Sequence, residues 1–463
     1  MDAGRIAEGA PRAPGIIADL KTHPRGVLVL SATELAERFS YYGMVGLLVL
    51  YMVHQLLLPG HAEHVLGLAG LRRMMEFRGP MSNQAFASLI YGWYSGLVYF
   101  TPMIGGYIAD RWLGARRTVT VGAVLMALGH LAMSTDETFL IALLLLICGS
   151  GCLKGNISAQ VAPLYPASEE SRRARGFTIF STGINIGAVL GPFATGALAQ
   201  AYGWHVGFAC AALLMAGALA IYLAGQKHLK GKALPEETSD SEAATTLDKT
   251  AIRRRIGALL WLILVNIFAA ASYNQITNVG LVWVDSHADL STPFGPFPAT
   301  WFNSLDSFAS IVIAGPLITL WAWQAMRGRE PDSIGKVMTG AWITALAPLV
   351  LVAGTLLTPP GFKVPVIWPI AYWVLTGFAF MFYWPLTLGI VAARAPRHLR
   401  SRMMGVAFLS LFAGNLLVGW IGSFYEQMAP ATFWTLNGAV GLVAILLLWP
   451  AQRFMRRELV VAV

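Results

Sequence analysis

Apolar runs of about twenty residues or more recur along the whole chain, with short polar segments between them. Each run is long enough to cross roughly 30 Å of hydrocarbon as a helix. The pattern predicts an all-α integral membrane protein with twelve transmembrane helices. These lie near 27–53, 84–109, 118–135, 138–162, 177–201, 204–226, 255–284, 299–326, 335–357, 364–393, 402–425 and 431–452.

The longest polar stretch, residues 227–255, divides these spans into two sets of six. It is rich in charge, Ser, Thr and Ala and has no aromatic residue, a composition typical of a mobile linker. We therefore expect an N-terminal six-helix bundle over 1–226, a cytoplasmic linker over 227–254 and a C-terminal six-helix bundle over 255–463. Two six-helix halves joined in this way are typical of a transporter that works by alternating access.

Composition and charge agree with a multi-pass membrane protein and give its orientation. The chain of 463 residues is 56% hydrophobic and 12% charged, against about 25% charged in a soluble domain. Of its 33 Lys and Arg residues, 27 lie on the side of the two termini and four on the opposite side, which predicts cytoplasmic termini. Topology thus explains the net charge of +9, and nucleic-acid binding is not expected. The short loops and compact length suggest a bacterial inner membrane.

A few charged side chains interrupt the apolar runs. The first span contains "ELAERFSYYG", which places Glu34, Glu37 and Arg38 on one side of a helix. Lys154 and Asp306 lie in the fourth and eighth spans. Each such charge costs at least about 2.5 kcal/mol at the bilayer centre, so these side chains usually face a bundle interior or a water-filled path. One interpretation is a structural ion-pair cluster. The other is a proton relay, because three carboxylates face only two cations.

The segment "ELAERFSYYG" resembles the ExxERFxYYG signature of proton-dependent oligopeptide transporters, a branch of the major facilitator superfamily. The resemblance extends over nearly all the spans, through "GGYIADRWLGARR", "GCLKGNISAQVAPLY", "RGFTIFSTGINIGAVLGP" and "APRHLRSRMMGVAFLS". It implies the major facilitator fold, with twelve helices in two six-helix bundles.

The resemblance also implies roles for the matching residues. Glu34, Glu37, Arg38 and Lys154 would form a proton-sensitive ion-pair network, and Lys154 or Arg38 would meet a substrate carboxylate. Asp110 and Arg116 would help to close the cytoplasmic side. The residues expected to line the substrate pocket are Tyr41, Tyr42, Lys154, Asn185, Asn274, Gln275, Asp306 and Trp384.

Several positions depart from the family pattern. Val45 stands where many members have an arginine, and Asn274 stands where a glutamate commonly precedes the glutamine. Phe380 replaces a glutamate that, in the family, helps to hold the amino terminus of the peptide. These neutral replacements leave a modified peptide, an amino-acid derivative or an organic acid open as the substrate.

Asp306 is a gain against these losses, because the family usually has asparagine at this position. Three interpretations remain open. The carboxylate is a new partner for a substrate amine, a second proton site, or a hydrated group near the end of its helix.

The function that we predict is proton-coupled import of di- and tripeptides or peptide-like small molecules. The alternatives are a family member with an altered, non-peptide substrate and a transport-dead ligand sensor. No Cys/His cluster or catalytic constellation appears in the sequence, so we expect no enzyme activity, no bound metal and no cofactor besides the proton gradient. The expected partners are the small-molecule substrate, protons and the lipid bilayer.

Overall fold

The computed structural model describes residues 20–460 except 21, 78, 167, 230–248, 294, 397 and 398. Most of the predicted linker therefore lies outside the described residues. In the described part, the chain forms twelve long helices, two of which are interrupted. We label them α1 (Arg25–Tyr51), α2 (Asn83–Ile108), α3 (Gly114–Ala132), α4 (Phe139–Ser158), α5 (Glu170–Tyr202), α6 (Trp204–Gly225), α7 (Lys249–Tyr273 and Val279–His287), α8 (Trp301–Met326), α9 (Ser333–Leu346 and Pro348–Leu357), α10 (Ile367–Arg394), α11 (Arg400–Gly422) and α12 (Pro430–Leu459).

Ten of these helices are long and apolar enough by themselves to cross a membrane. The other two, α2 and α3, pack closely against α4, so the order of spans agrees with the sequence pattern. The helix α7 begins at Lys249, within the segment predicted as linker, because the polar residues there continue the helix beyond its apolar part.

Within α7, the backbone leaves the α-helical path at a 3₁₀ turn over Asn274–Thr277. Asn278 follows this turn, and its side-chain Nδ2 donates to Val418 O at 3.3 Å. Gln275 Nε2 donates to the same carbonyl at 3.0 Å. These bonds fasten the interrupted helix to α11. The predicted span 255–284 is therefore two helical pieces rather than one.

Glycines allow close helix packing in the N-terminal half. A Cβ added at Gly183, Gly187 or Gly191 of α5 would lie 2.8, 2.5 or 2.4 Å from a backbone oxygen of α1. The three glycines are four residues apart, so they form one stripe along α5. The stripe lets α1 lie directly against α5 and encloses the middle of α1.

The two halves meet on one face of the molecule, the face that carries the α1–α2 and α7–α8 loops. We call it the loop face, and the opposite face, which carries the first and last described residues, the terminal face. Polar bonds join the halves on the loop face: His54 contacts Asp285 at 2.9 Å, Ser88 donates to Asn278 at 3.0 Å, and Trp301 Nε1 donates to Phe193 O at 3.0 Å. The described structure is therefore closed on the loop face.

The hydrophobic core also joins the two halves on the loop face. One cluster of buried side chains contains the N-terminal half together with the loop-face ends of the C-terminal helices, among them Trp283, Trp373 and Trp434. The rest of the C-terminal half packs as a separate cluster that includes Leu259, Val391 and Leu448. A cavity of about 440 Å³ remains between the halves on the loop face, beside Trp204, Asp285 and Lys363.

Candidate functional site

The centre of α1 holds three buried charged side chains. Glu37 is fully buried, and Glu34 and Arg38 are exposed by only 4% and 7%. The close packing of α1 on the glycine stripe of α5 removes them from lipid and leaves them in the protein interior. The sequence prediction that these residues lie together is therefore met by the geometry.

Arg38 bridges the two carboxylates. Its Nε lies 3.1 Å from Glu34 Oε1 and also contacts Glu37 Oε2 closely. One oxygen of each glutamate and the Nη2 of Arg38 are buried without a hydrogen-bond partner among the described residues. Unsatisfied buried groups are costly, so this cluster has free capacity for a proton on a carboxylate and for an anion on Arg38.

Lys154 of α4 does not form the predicted ion pair with a carboxylate in the described structure. Its Nζ lies over the rings of Tyr41 and Tyr99, at 4.4 and 5.0 Å from their centroids. The two tyrosine rings thus hold the ammonium beside the α1 cluster through cation–π contacts.

Two more predicted pocket residues follow the α1 cluster. The rings of Tyr41 and Tyr42 make an edge contact at 5.2 Å, and the guanidinium of Arg38 lies 5.5 Å from the centroid of the Tyr41 ring. Asn185 is exposed on α5, on the side of the helix away from the glycine stripe and α1. The two tyrosines therefore extend the α1 cluster, whereas Asn185 is not joined to it.

In the C-terminal half, Asp306 of α8 is buried, with 8% of its surface exposed. Its Oδ2 accepts a hydrogen bond of 2.8 Å from the hydroxyl of Tyr273, and its Oδ1 is buried without a partner among the described residues. Tight packing of α8 on α10 encloses the carboxylate, because a Cβ at Gly377 would lie 2.6 Å from Asp306 O. The interpretation of Asp306 as a hydrated group is therefore wrong for this structure.

The other predicted C-terminal residues differ in their positions. Gln275 is fully buried and its amide is used to hold α7 to α11, so a role in direct substrate contact is not supported by its geometry. Asn274 is half-buried in the 3₁₀ turn, where its carbonyl accepts from Thr277. Trp384 is half-buried and makes an edge contact of 5.6 Å with Phe408.

The predicted gating residues do not meet each other. Asp110 is exposed in the π turn that follows α2. Arg116 Nη2 donates closely to Leu229 O at the exit of α6, and Tyr222 donates to the Arg116 carbonyl at 3.4 Å. In this structure, which is closed on the loop face, Arg116 stabilises contacts within the N-terminal half.

Tyr99 and Tyr273 were not predicted from the sequence. Their role depends on a neighbour that is distant in the chain, and a lone tyrosine in an apolar span gives no signal of its own. The inter-half pair of His54 and Asp285 was missed for the same reason. Within the described ranges, no group of three or more His, Cys, Asp or Glu residues is arranged to hold a metal ion.

A family model, described as the POT family, matches residues 116–246 and 237–435. The chain belongs to the POT family. This is a family of transporters, which confirms that the protein is a transporter rather than an enzyme.

Relatives and solved structures agree with this placement. A di-/tripeptide transporter of Lactococcus lactis subsp. cremoris is 27% identical over 489 residues, covering 92% of this chain and 94% of the relative. A peptide transporter of Yersinia enterocolitica is 27% identical over 516 residues, covering 94% and 95%. A crystal structure of a peptide transporter POT in complex with sulfate superposes with a TM-score of 0.81 at 24% identity, covering 96% of this chain and 97% of that one. The predicted major facilitator fold is thereby confirmed.

A second solved structure is similar in fold. It is a POT family transporter in complex with 5-aminolevulinic acid, with a TM-score of 0.77 and 23% identity, covering 96% of this chain and 98% of that one.

Proposed function

We propose that the transporter is a proton-coupled symporter that imports di- and tripeptides or peptide-like small molecules by alternating access. The observation that carries the proposal is the α1 cluster, in which Arg38 is shared by two buried glutamates. A proton on one glutamate weakens its hold on Arg38, and the freed guanidinium then binds the substrate carboxylate. Proton and substrate thus favour the same state, which is the requirement for coupling.

The site assignments follow from this proposal. Glu34, Glu37, Arg38 and Lys154 serve proton coupling, with Lys154 placed to share the substrate carboxylate. Tyr42 and Asp306, one from each half, line the pocket, and Asp306 meets a substrate amine. Proton and substrate are the only species that the mechanism uses, so the proton gradient supplies the driving force without a further cofactor.

The same proposal includes the location. The Lys and Arg asymmetry supports cytoplasmic termini, so the loop face is external and the described structure is closed to the outside. A bacterial inner membrane is the expected site. The domain division at 226 and 255 agrees with α6 ending at Gly225 and the apolar part of α7 beginning after Arg255.

The test is uptake by the purified full chain in proteoliposomes under an inward proton gradient. Glu37→Gln is expected to abolish gradient-driven uptake but to retain counterflow exchange, because exchange does not require return of the empty carrier. Glu137→Gln, an exposed loop change, is the control and should behave as wild type. Gradient-driven uptake at the wild-type rate in Glu37→Gln would contradict the coupling assignment.

Competition separates the substrate classes. Unlabelled dipeptides should compete for uptake of a labelled ligand if peptides are substrates. The neutral residues Val45, Asn274 and Phe380 are the observations that favour an altered substrate, which a thermal-shift screen of peptides, amino acids and organic acids would identify. Ligand binding without any movement in vesicles would instead support a transport-dead sensor.

A further inference from the structure

The cavity on the loop face has a charged lining of its own. Its volume of about 440 Å³ falls in the range of small-molecule sites. Asp285, Asp289 and Lys363 border it, all from the C-terminal half. Asp289 and Lys363 are exposed, and 39% of the Asp285 side chain is exposed. A ligand that enters the cavity from the loop face can therefore reach both carboxylates and the ammonium.

Backbone hydrogen bonds hold these charged residues in place. Asp289 N donates to Val364 O at 2.8 Å, and Val364 N donates to His287 O at 2.8 Å. The two bonds join the α7–α8 loop to the α9–α10 loop, so Asp289 and Lys363 belong to one wall of the cavity. Asp289 Oδ1 also accepts a bond of 3.1 Å from the amide of Ser291. The charged wall is thus ordered before a ligand arrives, which lowers the cost of binding.

The rest of the lining is mainly apolar and comes from both halves. Trp204 at the start of α6 lines the cavity from the N-terminal half, and Leu290 and Phe297 of the α7–α8 loop line it from the C-terminal half. All three side chains are half-buried and keep accessible surface. Gln200 Nε2 of α5 donates to Pro296 O at 2.5 Å, and this bond holds the loop against the N-terminal half.

The charge pattern determines which small molecule suits the cavity. Lys363 offers an ammonium to a carboxylate, and Asp285 and Asp289 offer carboxylates to an ammonium. A simple cation would be repelled by the lysine, and a simple anion by the two carboxylates. A molecule with both charges at the ends of an apolar middle binds the two kinds of group and packs against the aromatic rings.

We propose that the loop-face cavity is a second ligand site, which binds a zwitterion of dipeptide size with an apolar side chain. The amine of the ligand binds at Asp285 and Asp289, its carboxylate binds at Lys363, and its side chain packs on Trp204 and Phe297. Because this ligand contacts both halves, it stabilises the closed loop face. The consequence for uptake rests on the proposed transport function: a high external concentration of such a peptide slows its own import.

Photolabelling of the purified full chain locates the site. The probe is leucyl-photoleucine, a dipeptide whose diazirine group inserts into neighbouring bonds on illumination. We expect mass spectrometry to find label within 196–204, 285–291 or 296–300, and excess unlabelled leucylleucine to suppress it. The absence of label from all three segments would overturn the proposal.

Two variants test the charges separately. Lys363→Gln and Asp289→Asn should each reduce labelling of these segments about fivefold below saturation, near the upper end of what an exposed ion pair contributes. Arg73→Gln is the control, because it removes a positive charge from an exposed residue elsewhere on the loop face, and it should label as the wild type does. Labelling that is unchanged in both test variants would show that the two charged groups bind no ligand.

Capped probes assign each end of the ligand. The N-acetylated probe has no ammonium, so Asp289→Asn and the wild type should label equally with it. The C-amidated probe has no carboxylate, so Lys363→Gln and the wild type should label equally with it. A loss of labelling in these variants that is the same for capped and uncapped probes would contradict the proposed orientation.

Uptake in proteoliposomes tests the consequence for transport. In the wild type, the rate of leucylleucine uptake should pass through a maximum and decline as its external concentration rises, whereas in Lys363→Gln it should reach a plateau. A plateau in the wild type would contradict the effect on closure. Labelling of the cavity without any uptake of leucylleucine would refute the proposed substrate class and still support the second site.

Discussion

At the scale of single residues, the buried charges of the transporter are held by local partners of different kinds. Arg38 binds two carboxylates that lie one and four residues before it on the same helix. Lys154 rests on two tyrosine rings, and Asp306 accepts one phenol hydrogen bond. Arg38 Nη2 and Asp306 Oδ1 are buried without a hydrogen-bond partner among the described residues.

Lys154 gives the clearest test at this scale. Lys154→Ala is expected to abolish uptake, because it removes the buried cation beside the α1 cluster that is proposed to bind the substrate carboxylate. The measurement is gradient-driven uptake and counterflow in proteoliposomes, with Lys227→Ala at the exit of α6 as the control. Intact uptake in Lys154→Ala would mean that the "LKGNIS" segment has been assigned a function that it does not have.

The sequence predicts part of this site for a physical reason. A charge in an apolar span is costly, so a charged residue at such a position predicts a functional or paired group. This reasoning identifies Glu34, Glu37, Arg38, Lys154 and Asp306 from the sequence. A tyrosine or glutamine in a span carries no such cost, and its role depends on packing. For that reason Tyr273 was missed, and Gln275 was assigned to the pocket although its amide fastens α7 to α11.

At the scale of elements, the positions of the spans follow from the length of the apolar runs. The interruptions do not. The 3₁₀ turn in α7 is stabilised by bonds from Gln275 and Asn278 to Val418, more than 130 residues further along the chain. The break of α9 at Pro348 has a local cause, because proline lacks the amide proton that the helix needs.

The helices α2 and α11 approach each other closely where the two halves meet. A Cβ at Gly92 would lie 2.7 Å from both Asn415 O and Gly419 Cα, and backbone atoms cannot move aside as a flexible side chain does. Gly92→Ala should therefore separate the helices and open the loop face. The distance is measured by pulsed EPR between spin labels at Leu58 and Ser291, after the three native cysteines are replaced. It should be longer in Gly92→Ala than in the wild type.

Gly106 on the same helix provides the matched control, since nothing lies within 4 Å of a Cβ added there. Gly106→Ala should keep the wild-type distance distribution. An unchanged distribution in Gly92→Ala would show that the glycine contact does not control closure.

At the scale of the whole molecule, the two halves are joined on the loop face by polar bonds and by a shared hydrophobic cluster. Of the three polar bonds named above, the pair of His54 and Asp285 is the one whose charge depends on pH, because the imidazole is cationic only when protonated. Both side chains are partly exposed, and exposed ion pairs contribute about 0.2–1 kcal/mol. The pair therefore adjusts the balance between open and closed states.

We predict that closure of the loop face in the wild type strengthens as the pH falls from roughly 8 to 5, the range in which histidine gains its proton. Asp285→Asn should remove most of this dependence, whereas His64→Gln, an exposed change on the same face, should retain it. The distance between spin labels at Leu58 and Ser291 measures the effect. A pH response that persists in Asp285→Asn would assign it to another group.

The cavity of about 440 Å³ on the loop face has a pharmacological consequence. Its walls come from both halves, so it exists in this form only while the loop face is closed. A compound that filled it from outside would hold the transporter in the conformation that is closed on the loop face. Such an inhibitor would lower the maximal rate of uptake without competing with substrate, since the proposed binding groups on Arg38 and Asp306 would stay unoccupied.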